Sequence, residues 1–141
     1  MPKENAMRLN AHLSFNGNCE AAFRFYEQCL SGKIAFMLTY AESPMAEVSE
    51  DWRNKVLHVH LDVGNDVITG ADAWPVDTCP PKGFTMALHF NDTAETVRVF
   101  NALSEAGTIT MPLQKTFWTP HFGMLTDRFG IPWMINYSET A

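Results

Sequence analysis

The stretch LSFNGNCEAAFRFYEQCLSGKIAFML, residues 13–38, decides the fold because a second copy of it follows 75 residues later. Residues 88–113 read LHFNDTAETVRVFNALSEAGTITMPL and are identical to it at eight of 26 positions. The identical pairs are Leu13 and Leu88, Phe15 and Phe90, Asn16 and Asn91, Glu20 and Glu95, Phe25 and Phe100, Gly32 and Gly107, Ile34 and Ile109, and Leu38 and Leu113. Ordinary residue usage gives about one identity in sixteen positions. The chain is therefore predicted to contain two copies of one structural unit.

The first copy predicts a strand, a helix and three further strands. Residues 8–15 alternate between apolar and polar side chains, as a half-buried strand does. A helix should begin at the N-cap Asn18 and end at Gly32, where a positive φ is expected. Its predicted buried stripe comprises Ala22, Phe25, Tyr26, Cys29 and Leu30. The remaining strands are predicted at residues 33–40, 56–63 and 66–72, with a tight Gly64-Asn65 turn between the last two.

The second copy repeats this order. Residues 84–90 form the predicted strand, and Asp92 with Glu95 resembles the start of a capping box. Val97, Phe100 and Leu103 supply the buried stripe of the second helix, and Gly107 ends it. Strands follow at residues 108–118, 122–127 and 132–137. The sequence thus predicts one α+β domain over residues 1–141, with unit one at about 8–72, a linker at about 73–83 and unit two at about 84–138.

Composition excludes several classes of function. The chain has 141 residues, a formal net charge of -6 and a pI near 5.2, so no basic stripe is present to bind nucleic acid. No apolar run reaches the roughly 20 residues that span a bilayer, and MPKENAMRLN lacks the apolar core of a signal peptide. We expect a cytoplasmic protein with no membrane partner, in which Cys19, Cys29 and Cys79 are reduced thiols.

Two long loops interrupt the repeat. Residues 41–54, AESPMAEVSEDWRN, are acidic, and they form either a solvated surface loop or a lid over a pocket. Residues 73–83, AWPVDTCPPKG, are rich in proline and are predicted to link the two units.

The stretch at residues 111–136 combines polar and aromatic side chains in the way a binding pocket does. Gln114 and Lys115 could orient a polar group of a ligand while Trp118 and Phe122 stack on its apolar part. The alternative is structural, with Lys115 exposed at a strand end and Trp118 in the core. Asp127 and Arg128 are explained by an Asx turn and a surface ion pair.

Four histidines are predicted on sheet faces that point away from the helices. His12 and His89 lie on the polar side of their strands, and His58 and His60 alternate with apolar neighbours in the same sense. Imidazole is both a common metal ligand and a general base near neutral pH. The alternative for each histidine is a single hydrogen bond on a solvated sheet face.

Three strings carry a family resemblance: LSFNGNCEAAFRFY, MPLQKTFW and FGMLTDRFGIPWMIN. They resemble the PhnB-like branch of the vicinal oxygen chelate superfamily, which contains glyoxalase I, extradiol dioxygenases and bleomycin resistance proteins. The resemblance implies a glyoxalase-like fold, in which tandem βαβββ units form a curved mixed sheet around a cavity, and a homodimer. Members are often labelled demethylubiquinone methyltransferase-like. The sequence has no glycine-rich strand-to-helix turn followed by an acidic residue that would support that label.

The resemblance also implies where a metal would bind. Metal-using members place His and Glu ligands on the first and last strands of each unit, and the corresponding positions here fall near His12, Asp72, Thr85 and Met134. Only His12 and Asp72 are strong ligand types, so we predict no metal and no other cofactor. A rearranged site built from several of the histidines is the alternative.

The sequence therefore predicts a protein that binds a small organic molecule. An alternative is a metal-dependent lyase, isomerase or dioxygenase that uses His12, His60 or His89 with Asp72. A third is an interaction module whose cavity is filled by its own side chains. No catalytic residue is assigned, and the candidate ligand-binding residues are His12, His58, His60, Asp72, His89, Gln114, Lys115, Trp118 and Phe122.

Overall fold

The structure, a computed structural model, describes residues 7–43, 49–73 and 81–139. The chain divides into two compact units, Met1–Asp77 and Thr78–Ala141. The centre of the predicted lid, most of the predicted linker and Cys79 lie outside the described residues. Across the described part of the chain, neither helix is long and apolar enough to cross a membrane.

The first unit is a four-stranded mixed sheet with one helix. Its elements are β1 (Ala11–Phe15), α1 (Cys19–Cys29), β2 (Lys33–Thr39), β3 (Val56–Val63) and β4 (Asp66–Asp72). The strand order is β1-β4-β3-β2. The first strand pairs parallel to the last, and the other two pairings are antiparallel.

The second unit has the same topology. Its elements are β5 (Met86–Phe90), α2 (Thr93–Ser104), β6 (Thr108–Gln114), β7 (Phe122–Thr126) and β8 (Pro132–Tyr137), in the order β5-β8-β7-β6. The two open sheets with one helix each confirm the predicted α+β class and the tandem βαβββ units. A cavity enclosed by one continuous curved sheet stays a prediction.

The core of the first unit lies between α1 and one face of the sheet. Leu13, Phe15, Val59 and Leu61 are buried on that face. Phe23 of α1 contacts Phe15, with ring centroids 6.1 Å apart. The predicted helix stripe was wrong in omitting Phe23, which is fully buried, and in including Phe25 and Leu30, which are only partly buried.

In the second unit α2 packs on Leu125, Trp133 and Ile135 of the sheet. The helix buries Thr96, Val99, Phe100 and Leu103. Val97, predicted to be buried, is 37% exposed, whereas its neighbour Thr96 is buried. The Thr96 hydroxyl tolerates burial because it donates to the backbone oxygen of Asp92 at 2.8 Å. The predicted N-terminal cap is confirmed, since the Asp92 side chain accepts from the Glu95 N–H.

The prediction that Gly32 ends α1 with a positive φ was wrong. Ser31 holds the left-handed position, with φ of 52°, and the Gly32 N–H donates to the Glu27 oxygen at 3.0 Å, as in a Schellman motif. A glycine is needed at this position because β3 passes close to it: a Cβ on Gly32 would lie 2.6 Å from the backbone oxygen of Asp62. Ala106 and Gly107 repeat the positive φ and the close approach, with φ of 59° at Ala106 and the Thr126 oxygen against Gly107, but the Gly107 N–H donates to the Ser104 oxygen.

Several strands are shorter than predicted. β1 begins at Ala11 and β5 at Met86, whereas the predictions began at residues 8 and 84. The predicted strand at residues 108–118 ends at Gln114, because Thr116 and Thr119 close a turn through backbone and hydroxyl hydrogen bonds. β2 and β7 each end one residue before the prediction.

Two buried carboxylates satisfy backbone donors at the ends of strands. Asp72 is 1% exposed, and it accepts from the N–H groups of Gly17 at 2.8 Å, Cys19 at 3.0 Å and Val56 at 2.9 Å. Asp127 accepts from the Phe129 and Ile131 N–H groups and from the Trp133 indole at 2.8 Å. The predicted Asx turn at Asp127 is confirmed. The neighbouring Arg128 donates to the backbone oxygen of Glu105.

We predict that Asp72→Asn lowers the free energy of unfolding by about 2–4 kcal/mol, because an amide offers one acceptor oxygen to three buried N–H donors. Urea denaturation followed by circular dichroism measures the change. Asp66→Asn is the matched control, because Asp66 lies at the exposed start of the same strand. Equal midpoints for the two variants would contradict the assigned role of Asp72.

Candidate functional site

The face of the first sheet that points away from α1 carries aromatic and polar side chains. Strand pairing places His12 beside Thr69, Thr69 beside His60, and His60 beside Phe36, so one row crosses all four strands. His58 lies two residues before His60 on β3, and therefore on the same face. We call this surface the histidine face, defined by His12, Phe36, His58, His60 and Thr69.

Four rings on this face form a series of nearly parallel planes, which we call the ring array. The centroids of His12 and His58 are 6.2 Å apart with an interplanar angle of 18°. Phe36 lies 5.5 Å from His58 and 5.4 Å from His60, at angles of 27° and 30°. These separations are those of offset-stacked rings. Phe36 remains 47% exposed, so the array is accessible to solvent.

A β-bulge places Phe36 in the array. Ile34 pairs with Leu61 and Phe36 pairs with His60, so two residues of β2 advance against one residue of β3. Without the bulge, Ile34 and Phe36 would lie on the same face, because side chains alternate along a strand. The second unit has a register shift at the equivalent place, between Ile109 and Met111.

Two of the histidines, His12 and His60, each have a side-chain hydrogen-bond partner. The Nδ1 atom of His12 lies 2.8 Å from the Thr69 hydroxyl, which also accepts from the Asn10 amide at 3.1 Å. The Nε2 atom of His60 lies 3.1 Å from a carboxylate oxygen of Asp62. His58 has ring contacts with His12 and Phe36.

The surroundings of His12 favour its neutral form. Partial burial lowers its pKa from the ordinary value, and the neighbouring His58 lowers it further.

A cavity of about 670 Å³ adjoins the histidine face in the first unit. Its lining includes Asn10, His60 and Thr69, together with Arg8 before β1 and Asp66 at the start of β4. This volume falls within the range of about 300–1,000 Å³ that small-molecule sites occupy.

The second sheet carries a related row. His89 pairs with Asn136, Asn136 with Phe122, and Phe122 with Gln114. The Asn136 amide nitrogen lies 3.2 Å from His89 Nδ1, and the buried Asn136 oxygen has no hydrogen-bond partner among the described residues. Trp118, which is 56% exposed, contacts Phe122 with ring centroids 5.4 Å apart.

Within each unit the structure brings several of the predicted site residues together. His12, His58 and His60 lie together on the histidine face, while His89, Gln114, Trp118 and Phe122 lie together in the second unit. Lys115 is exposed beyond the end of β6. Asp72 is not brought to the histidines: it lies on the α1 side of β4, and backbone N–H groups occupy both of its oxygens.

Sequence reasoning missed Asn10, Phe36 and Thr69. Alternation along β4 and the strand pairings place Thr69 beside His12 and His60. The polar residue Asn10 next to His12 was a usable signal for a polar cluster. Nothing in the local sequence marks the bulge that turns Phe36 toward His60.

No group of three His, Cys, Asp or Glu side chains within residues 7–43, 49–73 and 81–139 is arranged to hold a metal ion. The predicted absence of a metal stays a prediction. Cys19 and Cys29 are both buried. Burial raises the pKa of the Cys19 thiol far above its ordinary value, with a further contribution from Asp72. A thiol held protonated in this way is a poor nucleophile.

The fold and the two rows define a class: a small α+β protein of two βαβββ units, each with a helix on one face of its sheet and polar and aromatic side chains on the other. A family model, the Glyoxalase/Bleomycin resistance protein/Dioxygenase superfamily, matches residues 8–135. The chain therefore belongs to this superfamily, and the predicted glyoxalase-like fold is confirmed.

Individual relatives agree with this assignment. Protein YjdN of Escherichia coli K12 is 32% identical over 139 residues, which covers 92% of this chain and 95% of YjdN. The crystal structure of PA1353 from Pseudomonas aeruginosa is 40% identical, with a TM-score of 0.87 and coverage of 94% of this chain and 98% of PA1353. The PhnB protein from Bacillus cereus shares the fold at 21% identity, with a TM-score of 0.76 and coverage of 94% and 100%.

We predict that His58→Gln raises the pKa of His12 toward its ordinary value of about 6.5, because the substitution removes the neighbouring imidazole. Two-dimensional NMR titration of the ring protons measures this. His60→Gln is the control, since His60 contacts Phe36 and Asp62 rather than His12. A larger shift in the control than in His58→Gln would contradict the assignment.

The lowered pKa of His12 also determines how the stability of the protein changes with pH. Because the folded-state pKa of His12 lies below the unfolded value, protonation favours the unfolded chain. His12 therefore costs stability as the pH falls from the unfolded pKa of about 6.5 through the folded pKa. The His58→Gln protein should lose less stability over this window than the wild type.

Proposed function

We propose that the protein binds a small, partly apolar organic molecule on the histidine face. The observation that supports this most directly is the ring array, which presents four rings in nearly parallel planes on a solvent-accessible sheet face. An exposed array of this kind offers area for stacking at a low conformational-entropy cost, because each ring has only two rotatable side-chain bonds.

The surroundings of the array support a ligand with both apolar and polar parts. The adjoining cavity brings Arg8, Asn10 and Asp66 next to His60 and Thr69. Small-molecule sites combine an apolar surface with a few polar groups that fix the orientation of the ligand. In this proposal Phe36 and His58 contact the planar part of the molecule, and the cavity receives its polar substituent.

The row in the second unit is the other candidate binding surface. His89, Phe122 and Gln114 lie in register, and Trp118 extends the aromatic area. The first unit is favoured because it combines the larger set of stacked rings with an adjoining cavity of about 670 Å³. The homodimer and the cytoplasmic location stay predictions.

The alternative is a metal-dependent lyase, isomerase or dioxygenase. It requires His12 and His60 to share a divalent ion, and the hydrogen bonds of these two rings go to Thr69 and Asp62 respectively. Superfamily membership does not by itself choose between binding and catalysis, because one fold carries many functions.

We predict that Phe36→Ala weakens ligand binding roughly 10- to 150-fold, since a buried aromatic contact is worth roughly 1.5–3 kcal/mol. A thermal-shift screen of small aromatic acids, amides and ketones identifies a stabilising compound, and calorimetry then gives the dissociation constants. Phe117→Ala is the matched control, because Phe117 is 97% exposed in the second unit.

Two results would contradict this assignment. Affinity lost in Trp118→Ala and retained in Phe36→Ala would move the site to the second unit. A screen in which no compound raises the melting temperature would count against the binding function itself.

For the metal alternative we predict no rise in melting temperature with Zn²⁺, Ni²⁺ or Mn²⁺ at micromolar concentrations. The measurement is thermal melting of protein purified without an affinity tag, together with elemental analysis. Near-stoichiometric metal that is lost in both His12→Ala and His60→Ala would replace the binding proposal with the enzymatic one.

A further inference from the structure

The hydrogen bonds around Thr69 determine which nitrogen of His12 carries a proton. The argument begins at Asn10, whose side-chain amide reaches two acceptors. One end of the amide lies 2.9 Å from the backbone oxygen of Ala11. A carbonyl oxygen can only accept, so this end of the Asn10 side chain is the NH₂ group.

The same NH₂ group lies 3.1 Å from the Thr69 hydroxyl oxygen. Because the NH₂ group can only donate, the hydroxyl accepts from Asn10 and its own proton is directed elsewhere. Two acceptors are within reach of that proton: His12 Nδ1 at 2.8 Å and the Ala11 oxygen at 3.5 Å. Only the shorter distance lies in the usual range for an O–H donor, so the contact with the Ala11 oxygen is the weaker of the two.

The shorter distance favours donation from the Thr69 hydroxyl to His12 Nδ1, which requires that nitrogen to be unprotonated. We propose that Thr69 holds His12 in its Nε2–H tautomer, so that His12 donates a hydrogen bond from Nε2 to an oxygen acceptor on the ligand. The inference deepens the proposed function and rests on it, because it names the chemical group that the histidine face recognises. Thr69 acts here as a positioning residue and His12 as the residue that selects the ligand.

The surroundings of His12 agree with this role. Its Nε2 has no hydrogen-bond partner among the described residues, and its side chain is exposed on the sheet face. Burial and the neighbouring His58 lower the pKa of His12, which favours the neutral ring with a single proton. Of the other titratable groups on this face, His58 stacks on His12, and His60 is hydrogen-bonded to Asp62.

The chemical consequence is a preference for ligands that accept a hydrogen bond. A carbonyl, carboxylate or ether oxygen next to a planar group satisfies both the Nε2–H donor and the ring array. A ligand that presents only N–H donors leaves two donors facing each other, and an unsatisfied polar pair costs affinity. The tautomer also leaves the ligand-facing nitrogen of His12 without a lone pair for proton abstraction or metal binding at neutral pH.

The first test is made on the free protein. Long-range ¹H–¹⁵N correlation NMR, with His12 assigned by comparison with His12→Ala, distinguishes the two tautomers directly. We expect the Nδ1 resonance in the range of an unprotonated, hydrogen-bonded nitrogen and Nε2 in the range of a protonated one. A protonated Nδ1 at neutral pH would overturn the inference.

Substitutions at Thr69 test the positioning role. In Thr69→Val the Nδ1 resonance should lose its hydrogen-bond shift and the Nδ1–H tautomer should become detectable, while Thr69→Ser should preserve the wild-type pattern. Thr96→Val is the matched control, because it removes a buried hydroxyl of the second unit that donates to a backbone oxygen. An unchanged Nδ1 resonance in Thr69→Val would overturn the assignment.

A matched pair of probes tests the ligand preference. Acetophenone and ethylbenzene have similar size and the same ring, but only acetophenone carries an acceptor oxygen. At millimolar concentration both should shift the Phe36 ring resonances, and only acetophenone should shift His12 Nε2. Shifts at Phe36 without any difference at Nε2 would overturn the inference and leave the proposed function standing. No shift at any residue of the face, with the Nε2–H tautomer observed in the free protein, would overturn the proposed function and with it the ligand preference.

Discussion

The buried carboxylate of Asp72 forms hydrogen bonds with several segments of the first unit at once. It accepts N–H groups from Gly17 in the loop between β1 and α1, from the first residue of α1 and from the first residue of β3, while its own backbone ends β4. A buried carboxylate with fewer partners would destabilise the fold, because the free energy of removing it from water must be offset by hydrogen bonds. A single buried acceptor on the opposite side of the sheet thus supplements the pairing of the strands that carry His12, His58, His60 and Thr69.

The two faces of that sheet have different roles. The α1 side buries Leu13, Val59 and Leu61, and its packing leaves no room for a Cβ at Gly70, where Phe23 of the helix would collide with it. The other side places rings and hydroxyl groups where solvent can reach them. Side chains alternate between the two faces of each strand. A residue that is buried against α1 therefore directs its chain neighbours toward the histidine face. The geometry of the candidate site therefore depends on the packing behind it.

The sequence predicted most of the fold, because the strand period of two and the internal repeat are local signals. It failed where contacts between distant residues decide the structure. Gly32 was assigned a positive φ, whereas its real constraint is the backbone oxygen of Asp62, thirty residues away. Phe36 was missed because a bulge is set by pairing with β3. Asp72 was included as a ligand on chemical type alone, and its three backbone partners come from segments that no periodicity connects. The histidines of the first unit were found because alternation was sufficient to place them on one face.

The parallel pairing of the first strand with the last has a consequence for synthesis on the ribosome. Ala11 pairs with Ile68 and Met86 pairs with Trp133, so neither sheet can be completed until its final strand has been made. At roughly 5–20 residues per second, the 57 residues between Ala11 and Ile68 correspond to about 3–11 s in which β1 has no partner. During this interval the antiparallel β2-β3-β4 ribbon can form alone, and β1 then joins at its edge. The amino-terminal strand is the earliest part of each unit to be synthesised and the last part of its sheet to find a partner.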